Sequence, residues 1–177
     1  MKIALVDDNN LNRSNFVQKM AQFSDVELTI VAADGHEFLE KLKGLPMVHL
    51  PKVVFMDIQM PGLNGIDTIK LAKAIYDSIH FIVLTVFEDD DTIFEAIQAG
   101  ASGYLLKHES YHTILQAIQE VLEFGGAPMS PAIARKTLKI LGQRKHTEQA
   151  DTSVIESLLT EREFEILQHL EIGRAHV

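Results

Sequence analysis

Val53-Val54-Phe55-Met56-Asp57 decides the fold: four apolar residues in an unbroken run, closed by an acid. A run without polar alternation fits a strand buried on both faces, and such strands belong to parallel sheets covered by helices on either side. Two more runs have the same form. Ile3-Ala4-Leu5-Val6 is closed by Asp7-Asp8, and Phe81-Ile82-Val83-Leu84 by Thr85. The stretch 26–31 is interrupted by Glu27 and Thr29, as an edge strand would be, and Tyr104-Leu105-Leu106 makes a fifth strand ahead of Lys107.

Segments of helical period lie between these runs. Phe16, Met20 and Phe23 fall at i, i+4, i+7; Phe38 and Leu42 form a short face; Ile66, Ile69, Ala72 and Ile75 form a third. Ile93, Ile97 and Ala101 give a fourth that ends near Gly100, and Ile114, Ile118, Val121 and Leu122 a fifth that stops at Gly125-Gly126. Asp89, Asp90 and Asp91 precede the fourth helix, where they complement its dipole. Five strands and five helices thus alternate over residues 1–124, the pattern of an α/β domain with helices on both faces of a parallel sheet.

At 177 residues the chain has room for one domain of ordinary size and an appendage. It has no Cys, which excludes a disulfide scaffold or a Cys-based zinc site. No apolar run approaches the roughly 20 residues of a membrane span, and acids arrive at Asp7 and Asp8, too early for a signal peptide. A soluble, cytoplasmic protein without membrane partners is expected. The net charge of −9 is uneven: residues 1–124 hold 9 Lys+Arg against 18 Asp+Glu, and residues 125–177 hold 7 of each. Phosphate contacts depend on local positive charge, so any DNA binding must come from the C-terminal side, where Arg135, Lys136 and Lys139 stand without acids nearby in sequence.

That side reads as a turn-rich break at 125–131, a short helix over 132–141 and a polar linker to about 153. Thr160-Glu161-Arg162-Glu163 then has the capping-box pattern, leading into Phe164, Leu167 and Leu170. A helix is expected to start there.

The acids carry the chemistry. In an open parallel sheet, ligands collect beyond the carboxyl ends of the strands where the strand order reverses. If the strand order is 2-1-3-4-5, the first and third strands are neighbours and Asp7, Asp8 and Asp57 converge. Carboxylates roughly 5 Å apart repel by about 3 kcal/mol per pair at an effective dielectric of 20, so they need neutralising charge. Lys107 supplies one, and a hard divalent cation with oxygen ligands, magnesium being the natural choice, supplies the rest. With a cation bound, Asp57 becomes a nucleophile toward a phosphoryl group, and Thr85 and Lys107 can bond the oxygens of the product.

Asp7-Asp8, the stretch Met56-Asp57-Ile58-Gln59-Met60-Pro61-Gly62-Leu63-Asn64-Gly65, Thr85 and Tyr104-Leu105-Leu106-Lys107 together resemble the receiver domain of two-component response regulators. The resemblance covers residues 1–124 and implies a flavodoxin-like receiver fold with a five-stranded parallel sheet. It implies that Asp8 and Asp57 ligate Mg2+ with the backbone carbonyl of Gln59, that Asp7 acts mainly through water, and that Asp57 accepts phosphate from a sensor histidine kinase or phosphotransfer protein. It also implies that Thr85 and Tyr104 are the switch pair, the ring turning inward. Residues 125–134 and 159–167 look like the linker and helix-turn-helix opening of the NarL/FixJ type with a LuxR-like effector, whose recognition helix comes later in the chain.

Three departures from the family pattern stand out. The residue after the switch threonine is usually small, whereas here it is Val86, and slower exchange at the site is expected. Many receivers follow the lysine with a cis proline, whereas here His108 predicts a trans bond. Finally, Glu171-Ile172-Gly173-Arg174-Ala175-His176-Val177 can be encoded by GAGATCGGAAGAGCACACGTC, which resembles the start of a sequencing adapter. A non-native tail over 171–177 is therefore expected, after a truncated helix-turn-helix over 154–170. Recovery of the intact gene tests this.

The expected function is a response regulator that is switched by phosphorylation of Asp57, dimerises on phosphorylation, and binds DNA only as the full-length protein. It catalyses its own aspartate phosphorylation and dephosphorylation and is no other enzyme. A phosphatase of the haloacid-dehalogenase type would want an acid where Gln59 stands, and a flavin phosphate would be repelled by Asp7-Asp8. The remaining alternative is a phosphorylation-independent receiver acting as a protein-interaction module, a role in which an acid or the lysine is usually lost.

Overall fold

In the computed structural model, residues 1–142 are described. The sequence elements expected beyond them, the linker to 153, the helix-turn-helix onset at 154–170 with its Thr160 and Glu163 cap, and the tail at 171–177, lie outside the described residues. Five strands, β1 (Lys2–Val6), β2 (Glu27–Ala32), β3 (Val53–Met56), β4 (His80–Thr85) and β5 (Gly103–Leu106), alternate with α1 (Asn10–Met20), α2 (Gly35–Gly44), α3 (Gly65–Lys73), α4 (Asp90–Gln98) and α5 (Tyr111–Phe124). A single 3-10 turn, Met47–His49, precedes β3. A further helix, α6, covers 131–142.

The strands pair in parallel in the order β2-β1-β3-β4-β5, as expected. Alternate residues of each strand face opposite sides. Ile3, Leu5, Val53, Phe55, Ile82, Leu84 and Leu105 form one core layer with Phe16 and Met20 of α1 and Ile114, Ile118 and Val121 of α5. Phe81 faces the other way and meets Phe38 of α2 edge to face, ring centroids 6.2 Å apart. The interruptions at Glu27 and Thr29 do fall on an edge strand.

Each of α1 to α5 has a side-chain cap at its start. Asn9, Asp34, Asn64, Asp89 and Ser110 all accept hydrogen bonds from backbone N–H groups of the first turn, satisfying donors that have no partner within the helix. Asp89 thus acts as the cap of α4, and its bond from Thr92 holds its carboxyl below the usual range. α5 ends where Gly125 takes the left-handed conformation.

Two helix faces differ from the periodicity. α3 stops at Lys73 and leaves Ile75 two-thirds exposed, because Ala74 to Tyr76 already turn toward β4. α4 buries Ile93 and Ala96, with Ile97 only half-buried, so its inward face runs through Ala96 rather than Ile97. Residues Met1–Thr137 form one compact unit; residues 138–142 continue α6 in a second. Among the described residues no helix is long and apolar enough to cross a membrane.

Candidate functional site

The sheet places the acids side by side through hydrogen bonds that continue its ladders past the strand ends. Asp7 N–H donates to Ala32 O, Asp57 N–H to Val6 O and Lys107 N–H to Thr85 O, at 3.2, 2.9 and 2.9 Å. One carboxylate oxygen from each of Asp7, Asp8 and Asp57 lies within 4.8 Å of the others. Asp7 and Asp57 are buried at 2% and 5% exposure, whereas Asp8 is exposed and opens the cluster to solvent.

Lys107 reaches across from the end of β5. Its Nζ lies 2.5 Å from Asp57 Oδ2 and 2.8 Å from Asp7 Oδ2. Burial pushes the Asp57 carboxyl above its ordinary value, the Lys107 ammonium pulls against this, and the charge of Asp7 adds to it. Burial alone would lower the Lys107 ammonium, but its bonds to Asp57 and Asp7 outweigh that and hold it above its ordinary value.

Thr85 is fully buried at the end of β4, and its side chain also draws the Asp57 carboxyl down. Tyr104 is buried at 1% exposure with its ring inward, and its hydroxyl donates to Phe87 O at 2.8 Å. Burial, together with the charges of Asp89 and Asp57, keeps that phenol far above its usual titration range, so it stays a donor. Gln59 is exposed on the loop after β3, two residues beyond Asp57. Val86 stands 65% exposed beside Thr85. The Lys107–His108 bond is trans.

Several contributors were not legible in the sequence. Asn12, in the first turn of α1, places its amide 3.4 Å from both oxygens of Asp7, and Arg13 donates to Asp7 O at 2.6 Å. Asn9 N–H and Ile58 N–H hold Asp7 and Asp57 through one oxygen each. An amide five residues past an acid is the only trace of this, and it is too common to signal a site. In the sequence, Asn64-Gly65 stands only as part of the motif that resembles the receiver family. The structure gives Gly65 a physical reason: a Cβ there would collide with the Asp57 carbonyl oxygen and come within 2.9 Å of its carbonyl carbon.

Gly65→Ala is therefore expected to destabilise the domain by about 2 kcal/mol, within the range for overpacking, as read by urea unfolding. Acetyl phosphate labelling should fall with it, because the displaced backbone carries Asp57. An unchanged urea midpoint would show that the β3–α3 loop can absorb the added methyl.

The donor set is all oxygen, arranged around a half-buried lysine and open on one side. It fits a hard divalent cation that keeps part of its water shell.

A five-stranded parallel sheet of this order, with two acids after β1, one after β3, a hydroxyl after β4 and a lysine after β5, defines a receiver domain. The family model described as response regulator receiver domain matches residues 3–119. The chain is 35% identical to transcriptional regulatory protein LnrK of Bacillus subtilis (strain 168), over 98% of this chain and 78% of that protein. It is 31% identical to response regulator GacA of Pseudomonas syringae pv. syringae (strain B728a), over 94% and 73%. A solved two-component response regulator of the LuxR family from Aurantimonas sp. SI85-9A1 superimposes with a TM-score of 0.69 at 27% identity, covering 81% of this chain and 96% of that one. The chain belongs to the response regulator receiver family, among the NarL/LuxR-type transcriptional regulators of two-component systems.

Proposed function

We propose that Asp57 is the phosphoacceptor of this response regulator, and that Asp7, Asp8, Asp57 and the Gln59 carbonyl hold Mg2+ at the site. The observation that carries this reading is the convergence of three carboxylates on one lysine at the carboxyl end of the sheet. When bound, the ion offsets the charge of the carboxylates and of the incoming phosphoryl oxygens. The protein's own groups do the rest. Ile58 N–H fixes one Asp57 oxygen, leaving the other to attack phosphorus while the donor's leaving group departs with the bonding pair. Lys107 then exchanges part of its contact with Asp57 for a phosphoryl oxygen, and the Thr85 hydroxyl donates to another.

The donor in the cell would be a sensor histidine kinase or a phosphotransfer protein. Hydrolysis of the acyl phosphate resets the switch, and the domain catalyses no reaction beyond its own phosphorylation and dephosphorylation. Thr85 and Tyr104 couple the added charge to the surface of α4, β5 and α5, and thereby to dimerisation and to DNA binding by the LuxR-like segment after 154. The chain spans about three-quarters of the length of the curated relatives it matches, so DNA recognition is assigned to the intact regulator.

The test is incubation with acetyl phosphate, with and without Mg2+, followed by intact mass and peptide mapping. One phosphoryl group should be gained only with the cation, and it should sit in the peptide containing residues 53–59. Labelling elsewhere, or equal labelling in chelator, would remove the assignment.

A further inference from the structure

The segment that follows α5 pairs with the receiver. Met129 bridges in parallel to Tyr104, Tyr104 N–H donates to Pro128 O at 2.8 Å, and Ser130 N–H donates to Tyr104 O at 3.1 Å. The hydroxyl of Ser130, a residue only 2% exposed, accepts from Leu106 N–H at 3.0 Å. β5 would otherwise present these groups as an open sheet edge. Gly103 is what lets the segment approach, since a Cβ there would come within 2.8 Å of Pro128.

α6 then starts against the same region. Ile133 is fully buried, and the Thr137 hydroxyl lies 3.7 Å from Met129 Sδ. Lys136 Nζ donates to the backbone carbonyl of Glu88 and lies 3.6 Å from its carboxylate. Glu88 belongs to the β4–α4 loop that follows Thr85. In that loop Phe87 N–H donates to Thr85 Oγ1 at 3.5 Å, and Phe87 O accepts from Tyr104 Oη. Three nearby positions are therefore held by the Thr85 hydroxyl, the Tyr104 hydroxyl and the Lys136 ammonium.

We infer that residues 128–136 form a latch on the β5 edge and the β4–α4 loop, and that closure of this latch and phosphorylation of Asp57 favour one another. This rests on the phosphoacceptor reading. The latch is seen closed with Tyr104 inward. A phosphoryl group on Asp57 that accepts from the Thr85 hydroxyl fixes that side chain, and through the Phe87 N–H it holds the Glu88 carbonyl where Lys136 already bonds it. An exposed ion pair alone contributes little. Here the lysine closes onto a backbone carbonyl whose position the switch pair sets, and the edge pairing keeps it within reach. Coupling of this kind is reciprocal: what phosphorylation does for the latch, the latch does for the phosphorylated state.

Hydrogen exchange on the 177-residue chain, before and after acetyl phosphate and Mg2+, tests this, with intact mass recording phosphate in the same samples. In the parent, peptides covering 104–106 and 127–137 should exchange about fivefold more slowly once phosphorylated, the low end of ordinary coupling between sites. Lys136→Ala should still take up phosphate, lose that slowing, and shed its phosphoryl group about fivefold faster; Lys136→Arg should behave as the parent. Phosphate uptake with unchanged exchange in the parent overturns the latch and leaves the phosphoacceptor standing. A Lys136→Ala chain that matches the parent also overturns it. Absence of phosphate uptake at Asp57 in the parent overturns both.

Discussion

Asp57→Asn should take up no phosphoryl group from acetyl phosphate and, in magnesium-free buffer, should unfold at a higher urea concentration than the parent. The first effect follows from chemistry: an amide offers no carboxylate oxygen to attack phosphorus. The second follows from the environment of the site. Burial raises the Asp57 carboxyl, with Lys107 pulling it back and Asp7 adding to the rise. An acid whose pKa is raised by folding costs stability where it is ionised, above that raised value, and the cost disappears as pH falls and it protonates. Asparagine is neutral at every pH. The gain near neutral pH should be of the order of 1 kcal/mol, the balance left when relief of burying the charge, and secondarily of the repulsion from Asp7, is set against the lost attraction of Lys107. Added Mg2+ should stabilise the parent more than the variant, which has lost one anionic ligand. Equal phosphate incorporation in both chains would move the acceptor to another residue, and a variant less stable than the parent would show that the Lys107 contact outweighs burial.

Lys107→Ala should have the largest effect on stability. Its ammonium contacts both buried acids, and its own side chain is 17% exposed, so its removal leaves Asp57 and Asp7 facing each other without the cation between them. Breaking a buried ionic contact by deleting one partner costs about 3 kcal/mol. The deficit should shrink on acidification, since Asp57 has a raised pKa and takes up a proton above the ordinary carboxylate value of about 4. It should also shrink with Mg2+, which can take over part of the neutralisation. Phosphorylation by acetyl phosphate should slow by about 100-fold, as when one donor to developing negative charge is lost. Urea midpoints across pH, with and without the cation, together with the initial rate of labelling, measure all three. A variant as stable as the parent in chelator would mean that water already screens the two acids.

The strands were legible because burial on both faces leaves an unbroken apolar run, visible at Val53–Met56 without any knowledge of neighbours. The helices were legible as stripes, less exactly at their ends, because a stripe does not report where the chain leaves the core: Ile75 continues the α3 period and is exposed. The acids, Thr85 and Lys107 could be placed at strand ends by counting along the chain. The strand order that brings them together came from the family resemblance, since no local pattern encodes which strands are neighbours.

Side-chain periodicity and residue chemistry are local properties, and by themselves they determined an α/β domain with acids, a hydroxyl and a lysine at the ends of its strands; the receiver family came from the resemblance. Lys107 meeting Asp57 across 50 residues, and Ser130 meeting Leu106 across 24, were decided only by the tertiary structure. So were the parts played by Asn12, Arg13 and Gly65 around the acids, and by Lys136 on the β4–α4 loop. The reason is geometric: each of these contacts depends on where the assembled sheet carries a backbone, and a side chain that is ordinary in sequence acquires its role from what the fold sets opposite it.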